Sequence, residues 1–197
     1  MYWQITRGVA KRDHSFPKDV EPTVFMMSNP LPKLTAEQVD NGVPCYTFPD
    51  KRWHRCHIKS ISLLGNVLAK QHATEHGGAE VVMIRDGFMT EASASNVFCV
   101  FGDTIVSPPK DNHILGGITL DGVFDLAKKN GLKLEVRPVP EAEMWAADEL
   151  WLSSSSKGVL AITTLDDKPI GNAAHKGKPG PMFKKMFALM QADMRGA

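Results

Sequence analysis

The sequence predicts a mixed α/β fold, and three features carry that reading. Short runs rich in β-forming residues alternate with segments of helical apolar spacing. The helical segments stop at glycine, Gly77-Gly78 in one case and Gly131 in another. Finally, 43% hydrophobic and 23% charged residues place the 197-residue chain in the ordinary globular class. The formal net charge of +1 removes the main electrostatic reason to expect nucleic acid or an anionic membrane as partner. The length suits one large domain, alone or with a small one.

Taken in order, Tyr2 to Gly8 reads as a strand, and Val24–Met27 as a second after the turn at Phe16-Pro17-Lys18-Asp19. Two prolines make Ser28–Lys33 a linker, which divides the chain into a short segment over 1–33 and a large domain over 34–197. Thr35 is placed to cap a short turn running to Asn41-Gly42. Val43–Phe48 reads as a strand and Cys56–Lys59 as a short extended segment. Ser60–His76 carries apolar residues at 61, 64, 68 and 69 and reads as a helix. Val81–Arg85, Val97–Phe101 and Thr104–Val106 read as strands parted by turns. Thr119–Asn130 is a helix with Leu120, Val123, Phe124 and Ala127 on one face. Leu132–Arg137, Glu149–Leu152 and Val159–Thr163 are further strands. In the last helix, Met182–Met194, methionines recur at 182, 186, 190 and 194.

Three cysteines, Cys45, Cys56 and Cys99, form no CxxC pair, which favours reduced thiols and a cytoplasmic setting. No apolar run approaches a membrane span, and the first residues do not have the layout of a secretion signal.

Several groupings could carry chemistry. His72-x-x-Glu75-His76 formally matches a zinc-peptidase pattern, but a third ligand is wanting, since the helix from Thr119 offers only Asp121 and Asp125; a polar last helical turn suits it better, and zinc stays a distant rival. Lys59, between Ile58 and Ile61, is either a desolvated amine suited to imine chemistry or a lysine reaching solvent. Gly117-Ile118-Thr119 opens a helix and could hold a phosphate or simply cap it. Ser153–Ser156 follows a strand and could complete such a cup. Glu91 precedes small residues between two strands, where a flat ligand could approach. Arg12 and His14 stand two apart in an extended segment and could clamp one carboxylate.

A lysine, an acid and two phosphate-binding elements are the parts of a pyridoxal phosphate site. In sequence order, Cys56-His57-Ile58-Lys59-Ser60, Thr90-Glu91-Ala92-Ser93-Ala94-Ser95-Asn96 and Ile114-Leu115-Gly116-Gly117-Ile118-Thr119 resemble the fold-type IV pyridoxal phosphate aminotransferases, D-amino-acid aminotransferases most closely. Thr6–Ala10 through Arg12–Pro17 matches as well. The resemblance implies a larger barrel-like domain preceded by the tail of a smaller one. It makes Lys59 the Schiff-base lysine and proton carrier, and Glu91 the acid facing the pyridine nitrogen. Leu115 would pack on the ring. Ile118 and Thr119, with Ser154 and Ser155, would hold the phosphate, and Arg12 and His14 the substrate carboxylate.

The implied reaction moves an amino group between a D-amino acid such as D-alanine and a 2-oxo acid, in a cytoplasmic homodimer with no nucleic-acid or membrane partner. Branched-chain aminotransferase and aminodeoxychorismate lyase activities on the same fold remain alternatives, as does an inactive remnant. Leu64 stands where branched-chain members tend to have tyrosine. His57 stands where the resemblance expects aspartate, and Ala92 where it expects glycine. Family members begin well upstream of anything matching Met1, so the resemblance implies that most of the smaller domain is lacking. Their phosphate-gripping arginine lies in that stretch, and no residue here is assigned its role.

Overall fold

A computed structural model describes residues 1–31 and 33–196. Pro32 of the expected linker and Ala197 at the end of the expected large domain lie outside the described residues. The chain forms two compact units, Met1–Lys33 and Leu34–Ala197.

In the first unit, β1 (Tyr2–Thr6) pairs antiparallel with β2 (Thr23–Met27), Tyr2 opposite Met27. Nearly every side chain of this ribbon is exposed, including Trp3 and Met26. Gly8 takes a φ of +119°, and a Cβ there would stand 2.2 Å from the Glu21 carbonyl oxygen, so the close return of the chain requires glycine. Arg12 and His14 correct the sequence reading. They lie in bends and not in a strand, both exposed, because the chain leaves the ribbon after Thr6.

The second unit opens on α1 (Ala36–Asn41), which Thr35 caps reciprocally with Gln38. The remaining elements are β3 (Val43–Pro49), α2 (Leu64–Glu75), β4 (Glu80–Arg85), β5 (Phe88–Ala92), β6 (Asn96–Phe101) and β7 (Thr104–Ser107). After these come α3 (Ile118–Lys129), β8 (Lys133–Val136), β9 (Val139–Pro140), α4 (Glu141–Trp145), β10 (Glu149–Ser154), β11 (Gly158–Leu165), β12 (Lys168–Pro169) and α5 (Pro181–Met194). The sheet runs β8-β7-β6-β10-β11-β3-β4-β5-β9, with β12 added to β11. Its centre is parallel, since β3 pairs in parallel with both β11 and β4, and α2 provides the crossover to β4. Much of the rest is built from antiparallel pairs.

The sheet curls as a half-barrel around one core that includes Val82, Val97, Leu150, Leu152 and Leu160. Its other face packs Phe98, Trp151 and Ala161 against Leu120 and Val123 of α3 and Phe183 and Met186 of α5. Phe98 and Trp151 stack there with ring centres 5.1 Å apart. Alternate residues of one strand thus serve two cores, as the pleat requires.

α2 departs from its expected packing. It starts at Leu64 and not at Ser60, so Ile61 precedes it; Ile61, Leu64 and Leu68 are exposed, and Ala69 and Ala73 meet Val81 and Met83 of β4. The helix lies close on the sheet, and that contact is made by alanines. The segment Cys56–Lys59 is a turn and not extended chain. Glu91, expected in a connection, stands inside β5, because Asp86 and Gly87, both with positive φ, close a two-residue hairpin between β4 and β5.

Candidate active site

β3 delivers the first part of the site. Asp50, just beyond it, is bound by its N–H to the Ile84 carbonyl at 2.8 Å. The buried Asp50 carboxylate accepts from Arg52 Nε (2.9 Å), Arg85 Nη2 (2.9 Å) and Thr90 Oγ1 (2.9 Å). Burial alone would raise its pKa, but the hydrogen bonds from Arg52 and Arg85 outweigh that and hold it well below the usual carboxylate range. Arg52 bridges onward, donating from Nη1 to Glu91 Oε1 at 2.6 Å and from Nη2 to the His113 carbonyl at 3.0 Å.

Glu91 is 5% exposed. Its second oxygen accepts from the Leu115 N–H (3.0 Å) and Asn96 Nδ2 (3.3 Å). Burial pushes its pKa above the ordinary value, opposed by the Arg52 hydrogen bond and charge. Asn96 also donates to the Leu115 carbonyl at 2.8 Å, so one amide fixes both the acid and the loop carrying Leu115.

These residues border a cleft of about 1000 Å³. It brings together the predicted residues of the large domain: Lys59, Glu91, Leu115, Ile118, Thr119, Ser154 and Ser155 all line it. Arg12 and His14 belong to the first unit.

Of the two readings of Lys59, the structure has the one in which the side chain reaches solvent. It is exposed, in an irregular stretch, and its neighbours Ile58 and Ile61 are 44% and 68% exposed. Two isoleucines suggested a core segment, but here they flank the cleft instead.

α3 begins at Ile118, and its N-cap is Gly117 in extended conformation with no side-chain cap. Thr119 is therefore not the cap, and the first-turn N–H groups beside the cleft have no side-chain acceptor. A Cβ on Gly117 would meet Asn96 Oδ1 at 2.5 Å, so the helix start sits tight against the residue that holds Glu91. Opposite, Ser153 is buried in the cleft wall with a hydroxyl that has no partner.

Arg52 and Asn66 were missed from sequence, and Asn96 was seen only as part of a motif, with no role of its own. Asp50-Lys51-Arg52 resembles an ordinary solvated charge run, and only the i, i+2 spacing of opposite charges hinted at a pair. His76 Nδ1 lies 2.8 Å from the His72 carbonyl and the two rings pack 4.4 Å apart. Among the described residues no cluster of three His, Cys, Asp or Glu side chains is set to hold a metal ion, and no helix is long and apolar enough to cross a membrane.

A half-barrel with a buried acid, a cleft lysine and an uncapped helix start defines a recognisable class. The amino-transferase class IV family matches residues 1–165, and the chain belongs to that family. It is 39% identical over 191 residues to the D-alanine aminotransferase of Bacillus licheniformis, covering 97% of this chain and 66% of that protein. The chain thus spans just under two thirds of that relative's length. Among solved structures, a fold IV transaminase from Curtobacterium pusillum superposes with a TM-score of 0.67 at 27% identity, covering 79% of this chain and 55% of that one. The 4-amino-4-deoxychorismate lyase of Pseudomonas aeruginosa reaches 0.82 at 23% identity, covering 96% and 69%, a likeness of fold.

The cofactor of this family is pyridoxal phosphate, and the residues fit it. The unpartnered Ser153 hydroxyl, the uncapped start of α3 and the glycine cradle at Gly117 suit a phosphate. The buried Glu91 suits a ring nitrogen that carries a proton.

Proposed function

We propose that the protein transfers the amino group of a D-amino acid, such as D-alanine, to a 2-oxo acid. The observation that supports this best is the Arg52–Glu91 pair, fixed in the wall of the cleft that Lys59 also lines. Lys59 Nζ is the amine that would hold the cofactor and move the proton of the substrate Cα. Glu91 would accept the hydrogen bond of the pyridine nitrogen, its carboxylate held still by Arg52, Asn96 and the Leu115 N–H. Leu115 would pack on the ring. The N–H groups of Ile118 and Thr119, with the hydroxyls of Thr119, Ser154 and Ser155, would bind the phosphate. When bound, the cofactor supplies an electron sink for the carbon acid. Arg12 and His14 are assigned the substrate carboxylate, and a homodimer is the proposed assembly.

The test is a titration of the purified chain with pyridoxal phosphate. A visible band bleached by borohydride and missing in Lys59→Ala is expected, followed by turnover of D-alanine with 2-oxoglutarate. A band that survives in Lys59→Ala, or none in the parent chain, sinks the reading. Turnover of leucine, or consumption of aminodeoxychorismate without an acceptor, would move the activity to the branched-chain or lyase alternative.

A further inference from the structure

Glu80, the first residue of β4, is fully buried and takes no part in the Arg52 network. Among the described residues no cation pairs with it. Its Oε1 accepts from its neighbour, the Val81 N–H (3.0 Å), from the Ser93 N–H (3.2 Å) and from the Ser93 hydroxyl. Its Oε2 has no partner at all. A buried carboxylate held only by neutral donors, with one oxygen bare, is a costly way to secure a turn. Its chemistry toward Ser93 is what distinguishes it from a neutral side chain.

Ser93 lines the cleft two residues beyond Glu91. Its N–H and its hydroxyl proton are both given to Glu80, and its carbonyl accepts from Asn66 Nδ2 of α2 at 2.8 Å. A hydroxyl has one proton and two lone pairs, so Ser93 has only lone pairs left to offer a ligand. Two other serines of the cleft differ. The hydroxyls of Ser95 and Ser153 are buried without partners, and their protons are free for an acceptor.

We propose that Glu80 is a positioning residue that commits the Ser93 proton inward, so that Ser93 accepts from the amine of the amino-acid substrate and disfavours a carboxylate at the same point. This deepens the aminotransferase reading and rests on it. A carboxylate or phosphate oxygen facing Ser93 meets lone pair against lone pair. An ammonium meets an acceptor polarised by a carboxylate behind it.

The amine donor and the 2-oxo acid acceptor react in separate half-reactions, so their KM values report separately on an amine contact. In Glu80→Gln and in Ser93→Ala, KM for D-alanine is expected to rise about tenfold, as for a lost hydrogen bond to a charged group. KM for 2-oxoglutarate should stay within about twofold, because the acceptor brings no amine. The double variant should be no worse than the worse single one, since Glu80 acts through Ser93. Ser93→Thr, which keeps the hydroxyl, should restore most of the loss and covers the case in which Glu80→Gln does not fold. Equal rises in both KM values, additive effects, or a Ser93→Thr no better than Ser93→Ala would overturn the proposal. A parent chain without the lysine-dependent visible band would overturn the aminotransferase reading and this with it, and that failure is recognisable because Glu80 and Ser93 are then intact.

Discussion

Arg52 Nη1 lies 2.6 Å from Glu91 Oε1, and both side chains are only 7% exposed. The same guanidinium binds Asp50 through Nε, so one cation bridges two buried acids, and Arg85 supplies the second positive charge at Asp50. Arg52→Gln leaves Asp50 with Arg85 alone and Glu91 with none. The expected loss is about 3–5 kcal/mol, the cost of stranding a buried charge. Urea unfolding measures it, and a loss below about 1 kcal/mol would show that Glu91 does not need the pair.

Asp50 also sets an acid limb of stability. Its folded pKa lies below its ordinary 3.8, because the arginine hydrogen bonds outweigh burial. The stabilisation is therefore complete above the unfolded value and is lost as pH falls through the folded one. Unfolding curves between pH 6 and pH 2 should steepen in this region for the parent chain and flatten in Asp50→Asn. Parallel profiles would contradict the assignment.

Gly117→Ala places a methyl 2.5 Å from Asn96 Oδ1. Asn96 must move, and it is the amide that joins Glu91 to the Leu115 carbonyl. Expected are a stability loss of about 1–3 kcal/mol and a weaker affinity for pyridoxal phosphate, read by absorbance titration. Unchanged affinity would mean that the helix start and the acid are independent.

Glu149 caps α5 from a neighbouring strand, accepting the Met182 N–H at 2.8 Å and the Phe183 N–H at 2.7 Å. Gly180 leaves room for it, since a Cβ there would fall 2.2 Å from its Cδ. Glu149→Ala leaves both donors without their acceptor and should cost about 1–3 kcal/mol in thermal or urea unfolding, with the cleft chemistry untouched.

The two helices with a buried apolar face, α3 and α5, were legible because apolar spacing is a local signal, and each begins one residue earlier than expected; α2 begins four residues late with most of its apolar positions exposed, and α4 was overlooked. Asp86-Gly87 is also a local signal, a strong hairpin turn, but β5 was overlooked beyond it, and Glu91 was placed in a loop. Lys59, Glu91 and Ser154, singled out in the sequence, do line one cleft. Arg52 could not be recognised there, because its meaning lies in Asp50 and Glu91 being brought to either side of it by two strands. Nor could the exposure of Lys59, since apolar neighbours look alike whether they line a core or a cleft.

β3 sits between β4 and β11, and it is bound to the late strand's turn as well: the Thr47 N–H donates to Asp166 at 2.6 Å across 119 positions of chain. During synthesis β3 and β4 emerge early, and the Asp50–Arg52–Glu91 cluster can assemble as soon as β5 is made. One edge of β3 must then wait, bare, until β11 appears, and the Ser153–Ser155 side of the cleft waits with it. An unpaired edge flanked by apolar side chains is a template for the wrong strand. Expression at low temperature, where nascent chains associate less, should therefore raise the yield of this protein more than any change at the cleft itself.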